Sequence, residues 1–211
     1  MVHFPVSLRK TVEAWLSANV PPQRLQHVLR VEAMAVELAG RHGVCQAAAA
    51  QAGLMHDLAK CFKPQRLLDM VRAEGRGLDP VEERNPHLLH AEVGAIVARD
   101  DFGVQDEAIL SAIANHTLGC PGMDALSCIV YLADTLEPGR GDSDDLGRLR
   151  RLSCEDLSAA VYQTCDYTLT DLIKKARPIH PRAIATRNWF LQASRDQPQP
   201  LAPKLRLRTV V

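Results

Sequence analysis

The sequence predicts an all-α domain, and three observations predict it. Long stretches rich in Ala, Leu, Val, Glu and Arg favour helix over sheet. Apolar residues recur at helical spacing through segment after segment. No segment reads as a convincing strand. At 211 residues the chain makes one domain, or one domain plus a tail, with enough length to bury a core.

Residues 6–19 read as a short helix with Val12, Trp15 and Leu16 on one face. Pro21 and Pro22 open a second helix, a position that tolerates proline. Its apolar residues Val28, Val31, Met34, Ala35 and Leu38 carry it to Gly43, a C-terminal stop. Arg24, His27 and Val31 share a face of it. A third helix is expected over 46–60 and a fourth from Pro64 to about residue 75. Residues 75–86, rich in Gly, Pro and charge, read as a mobile loop. Asn85-Pro86 starts a fifth helix, to about residue 102, with His87 and His90 near its start. Asp106 caps a sixth over 107–117, which ends on Asn115-His116-Thr117. A seventh, over 124–137, carries Asp134 inside the apolar run Val130-Tyr131-Leu132-Ala133-Asp134. Pro138-Gly139-Arg140-Gly141 then breaks the chain and leaves Arg140 on a loop. A long helix over 154–176 follows. Arg177-Pro178-Ile179-His180-Pro181 is a rigid connection into a last helix over 182–195. Residues 1–195 form the domain, and 196–211 read as a disordered Pro-rich tail.

The 25 basic and 25 acidic residues balance, so no global field argues for nucleic acid or an anionic membrane. There is no basic stripe with stacking aromatics either. None of the six cysteines forms a CxxC pair or suggests a disulfide framework. The N-terminus lacks a signal-peptide layout, and no uncharged apolar run nears the ~20 residues of a membrane span. The cytoplasm is the expected compartment.

The organising stretch is Gly53-Leu54-Met55-His56-Asp57-Leu58-Ala59-Lys60. Aspartate in an apolar run is paired, hydrogen-bonded or ligating a metal. Alone, the His-Asp pair also fits a helix cap or a carboxylate bonded to its neighbouring imidazole. His27, His90, His116 and Asp134 lie in comparable helical, apolar settings. Helical bundles build metal sites from such inward-facing imidazoles and carboxylates. A mixed His/Asp set suits iron, manganese, zinc or cobalt and lacks the thiolates of a structural zinc site.

The order His27 … His56-Asp57 … Asp134 resembles the HD-domain phosphohydrolase superfamily, whose fold is an all-helical bundle with a metal site in its core. Leu88-Leu89-His90-Ala91, Asn115-His116-Thr117, Glu137-Pro138-Gly139-Arg140 and Arg177-Pro178-Ile179-His180-Pro181 narrow the likeness. Together with the HD words they resemble the YqeK family of bacterial symmetrical bis(5'-nucleosyl)-tetraphosphatases, over about residues 8–190.

The resemblance implies hydrolysis of diadenosine tetraphosphate to two ADP by metal-activated water. It implies iron, as one or two ions, on His27, His56, Asp57 and Asp134, with manganese, cobalt or zinc as substitutes. Asp57 and Lys60 are the implied catalytic residues. His90 and His116 would hold a second metal or bind phosphate. Arg24, His27, Asp57, His90, His116, Arg140, Arg177, His180 and Arg182 are the implied substrate contacts. The partner is a small dinucleoside polyphosphate, and the chain is a monomer or homodimer. Two alternatives remain open: an HD hydrolase of another nucleotide (a deoxynucleotide, a guanosine polyphosphate or a cyclic dinucleotide), and a non-catalytic nucleotide-binding regulatory module.

Overall fold

The computed structural model describes residues 4–196, and among them there are helices and turns but no strand. The expected tail lies outside the described residues except for Asp196, which ends the last helix.

The first two helices, α1 (Val6–Asn19) and α2 (Pro22–Arg41), follow the sequence pattern closely. Gly43 takes φ 67° just past α2, as a C-terminal stop requires. The third helix is shorter than expected. α3 (Gln46–Met55) stops at the residue before His56, and residues 56–62 continue as tight turns. Leu58, Lys60 and Phe62 donate to carbonyls only three residues back. The His56 ring takes the Gly53 carbonyl instead, with Nδ1 at 2.7 Å. The imidazole thus satisfies an acceptor that the helix end leaves open.

α4 (Pro64–Ala73) follows. The expected mobile loop over 75–86 contains a fifth helix, α5 (Pro80–Arg84), started by a capping box between Asp79 and Glu82. Glu82 is buried there and paired with Arg76 at 2.9 Å. A 3₁₀ turn, Pro86–Leu89, leads into α6 (His90–Asp100), so the expected fifth helix divides at His90. α7 (Glu107–Asn115) is capped by Asp106, and α8 (Ala125–Leu136) by Asp124. A helix that the sequence reading left out, α9 (Asp144–Ser153), starts at Ser143, whose hydroxyl accepts from the Leu146 amide. α10 (Leu157–Lys174) and α11 (Pro181–Asp196) complete the fold.

α2, α3, α7 and α8 form the centre of the bundle, and their apolar faces build one continuous core. α3 lies so close to α2 that a Cβ on Gly53 would stand 2.9 Å from the Glu32 Cα. That approach brings the turn after α3 against the first turns of α2. No described helix is long and apolar enough to cross a membrane.

Candidate metal centre and substrate cavities

Six side chains converge where these elements meet. His27 comes from α2, His56 and Asp57 from the turn after α3, and His90 from the start of α6. His116 comes from the end of α7 and Asp134 from α8. All but Asp134 are buried. Asp57 sits at the middle. Its Oδ2 lies 3.5 Å from His56 Nε2 and 4.0 Å from His27 Nε2. Its Oδ1 lies 3.3 Å from His90 Nε2 and 3.7 Å from His116 Nε2. Asp134 Oδ1 is 3.0 Å from His27 Nε2 and 3.9 Å from His56 Nε2.

The imidazoles are oriented from behind. Nδ1 of His56, His90 and His116 meets the carbonyls of Gly53, His87 and Ile113 at 2.6–2.7 Å. Nδ1 of His27 meets the Glu137 carboxylate at 3.0 Å. Each acceptor holds the proton on Nδ1 and turns the Nε2 lone pair inward, the arrangement of a metal-ligating histidine. The Nε2 atoms of His27 and His56 are buried without a hydrogen-bond partner. Buried polar atoms are seldom left so. Three or more donors within 4.8 Å of one another form two overlapping groups, His27–His56–Asp134 and His56–Asp57–His116. The residues present therefore fit a divalent ion.

The two carboxylates and His116 are held in the charge states this arrangement needs. Burial pushes the His56 imidazole down, but Asp57 and Asp134 outweigh it and push the group up. Burial pushes the Asp57 carboxyl up, but His56, His90 and Lys60 outweigh it and hold the group well below its ordinary range. Asp134 is likewise held low, against burial, by His27, His56 and His116. Both are carboxylates, as ligands must be. Burial, together with His56 and His90, pushes the His116 imidazole down to about 3 and keeps it neutral.

Each of these two carboxylates also carries an arginine. Arg24 meets Asp57 Oδ2 at 3.0 Å, and Arg140 meets Asp134 Oδ1 at 2.7 Å. Both were expected at substrate, and in this structure both are engaged by carboxylates. Lys60 donates to His90 Nε2 at 3.0 Å, and Thr117 Oγ1 lies 3.2 Å from the same atom.

Two cavities open beside the cluster. One, of about 580 Å³, is lined by Lys60, His90, Thr117, Arg177 and His180 with Leu88, Leu118, Leu169 and Leu172. The other, of about 310 Å³, is lined by His116, Asp134, Arg140, Tyr167 and Leu146. Lys60, Thr117, Tyr131 and Thr168 belong to both walls. His180 lies in the first wall and also accepts the Arg182 backbone N–H at 3.0 Å, capping α11. The Arg182 side chain is in neither wall. It lies within electrostatic reach of Glu82, Glu92 and Arg76.

Sequence reasoning gave no role to Glu137, although it stands in one of the quoted words. It also passed over Thr117, Tyr131 and Thr168. Glu137 carried a signal, because an acid at the end of an apolar helix needs a partner. The others carried none, since their place depends on how α8, α10 and the turn after α7 pack.

The HD domain family matches residues 24–139. The chain is 36% identical, over 88% of its length and 99% of the relative's, to a symmetrical bis(5'-nucleosyl)-tetraphosphatase of Bacillus subtilis. It is 28% identical to one of Staphylococcus aureus, over 82% of this chain and 89% of that one. A crystal structure of a predicted HD superfamily hydrolase involved in NAD metabolism, from Clostridium acetobutylicum, superposes with a TM-score of 0.84 at 34% identity. That match covers 88% of this chain and 97% of that one. With its ligand cluster lying inside the matched segment, the chain belongs to the HD-domain family, in the group of the symmetrical bis(5'-nucleosyl)-tetraphosphatases.

Proposed function

We propose that this chain hydrolyses diadenosine tetraphosphate at the middle of its phosphate chain, giving two ADP, with one resident divalent metal ion, preferentially iron. The observation that carries the reading is a wall of four residues, Lys60, Thr117, Tyr131 and Thr168, common to two cavities that flank the ligand cluster. A substrate with two similar ends and a reactive centre fits that layout. The larger cavity lies within the range of small-molecule sites, about 300–1,000 Å³, and the smaller at its lower edge.

His27, His56, Asp57 and Asp134 would hold the ion. An asymmetry among the imidazoles supports one ion over two. His27 and His56 leave Nε2 without a partner, while His90 Nε2 accepts from Lys60 at 3.0 Å and has Thr117 Oγ1 at 3.2 Å. When bound, the ion would lower the pKa of a water and draw charge from a phosphoryl oxygen.

The remaining work falls to the protein. Asp57, fixed by Arg24, orients the attacking water. Lys60, Thr117 and the His90–His116 pair face the phosphate chain, and Lys60 neutralises charge that builds on the phosphoryl oxygens. Arg140 does the same from the second cavity. Arg177 and His180 hold the outer part of the substrate in the larger cavity. Its leucine walls exclude water and take a nucleobase.

The test is Asp57→Ala, assayed anaerobically with metal analysis and product identification from diadenosine tetraphosphate. Both bound metal and ADP production are expected to vanish. Turnover that persists in the metal-depleted variant sinks the proposal. A second nucleotide hydrolysed faster than diadenosine tetraphosphate in the same assay moves the reading to another substrate.

A further inference from the structure

Behind the metal cluster stands one further buried carboxylate. Glu137 is 1% exposed at the end of α8, where the chain leaves the helix. Both of its oxygens are fully used as acceptors. Oε1 accepts from His27 Nδ1 at 3.0 Å and from Arg30 Nη2 at 3.3 Å. Oε2 accepts from Arg30 Nε and from the Gly139 N–H. These bonds overcome burial and hold the carboxyl down to about 2.

The surroundings are built to keep it there. Arg30 lies across Gly139 so closely that any Cβ at 139 would collide with the guanidinium. Gly139 is needed here for the close approach of Arg30. Arg150 fastens the same turn, donating to the Leu136 and Gly141 carbonyls at 2.7 Å each. Glu137 lines neither substrate cavity.

We propose that Glu137 is a positioning residue for the metal centre: it fixes the tautomer and angle of His27, and Arg30 and Gly139 fix Glu137. This rests on the reading of His27 as a metal ligand. A carboxylate behind a ligating imidazole raises its basicity and prevents ring rotation, and losing such a partner costs about 10–100-fold in metal affinity. His27 is the one imidazole of the four backed by a charged acceptor; the others have carbonyls. Glutamine is nearly the same shape but cannot replace Glu137. Its amide NH₂ must face either the His27 N–H or the Arg30 and Gly139 donors.

The experiment uses the full chain as wild type, Glu137→Gln, Gly139→Ala and His27→Ala. Each is titrated with manganese(II) alone by calorimetry. The unfolding temperature of chelator-treated protein is recorded, and kcat and KM for diadenosine tetraphosphate are measured at saturating manganese. Glu137→Gln should bind manganese about 10–100-fold more weakly, with its chelator-treated unfolding temperature near that of wild type. Gly139→Ala, which displaces Arg30 without touching Glu137, should lose affinity in the same direction but by less. At saturating metal kcat should fall while KM holds, since Glu137 lies outside both cavities. Wild-type manganese affinity in Glu137→Gln, with affinity lost in His27→Ala, overturns the proposal. Wild-type affinity in His27→Ala overturns the underlying reading of His27 as a ligand. An affinity loss in Glu137→Gln matched by a comparable fall in the chelator-treated unfolding temperature assigns Glu137 to the fold and overturns the proposal as well.

Discussion

Gly53→Ala tests whether the closeness of two helices sets the metal centre. The added Cβ would stand 2.9 Å from the Glu32 Cα, 3.3 Å from the Glu32 amide nitrogen and 3.4 Å from the Ala35 Cβ. The first two are backbone atoms of α2 and cannot rotate away. Carbon atoms pack at about 3.5–4.0 Å, so α3 must retreat from α2 by roughly 0.6–1 Å. Overpacking of this kind costs about 1–3 kcal/mol. Alanine returns about 1 kcal/mol of helix propensity. The net is a loss of about 0–2 kcal/mol, or a fall of up to roughly 8 °C in unfolding temperature for a chain of this size. The centre should suffer more than the fold. His27 rides on α2, while His56 and Asp57 follow α3 directly. Metal sites tolerate about 0.2 Å in ligand distance, less than the required retreat. Differential scanning calorimetry of chelator-treated protein and a manganese titration read the two effects separately. A rise of roughly 2–4 °C, the propensity gain alone, with unchanged manganese affinity would refute the reasoning.

Three further outcomes are expected. Arg140→Ala should keep the metal and lose about 100–1,000-fold in kcat/KM, as removal of a group stabilising transition-state charge does; loss of bound metal would assign Arg140 to holding Asp134 instead. Manganese at about 100 times its dissociation constant should stabilise the fold by about 2.7 kcal/mol, or roughly 5–11 °C, and that rise should vanish in His56→Ala. An equal rise in the variant would place the ion elsewhere. For Glu82, burial raises the carboxyl, but Arg76 and the Asp79 N–H outweigh it and leave it below its usual 4.5. A folded value below the unfolded one contributes stability that is complete above about pH 4.5 and is lost as the pH falls through the depressed value. Glu82→Gln should flatten the stability profile in that acid window, and an unchanged slope would show that the Arg76 pair contributes nothing there.

Much of the site was legible because its residues break rules of burial. His27, His56, Asp57 and Asp134 stood out as polar groups in apolar helical runs, and the structure gathers them into two overlapping groups that share His56. His90 and His116 join them for the same reason. The boundaries were less legible. Helical spacing continues smoothly from Ala52 through Lys60, so nothing in the pattern marks the end of α3 at Met55. That end depends on the His56 ring competing for the Gly53 carbonyl. α5 was hidden by Gly and Pro, although Asp79 and Glu82 spell a capping box. α9 is strongly charged, and its three buried positions, Leu146, Leu149 and Ser153, gave too narrow a stripe to notice. Arg182 follows the Arg177–His180 word in sequence, and its side chain lines neither cavity.

The end of α3 also bears on how this centre could be moved to another protein. His56 and Asp57 are neighbours in sequence and face the same point. Successive residues on an α-helix point about 100° apart, so an unbroken helix would aim one of them elsewhere. A graft onto a continuous helix would need the ligands respaced to i and i+4, where side chains do meet. Transplanted with its native spacing, the pair must bring its own chain break, the ring-to-carbonyl bond at Gly53 and the glycine that admits α2. The smallest portable unit is therefore a helix end docked on a second helix, and a pair of residues alone would not carry it.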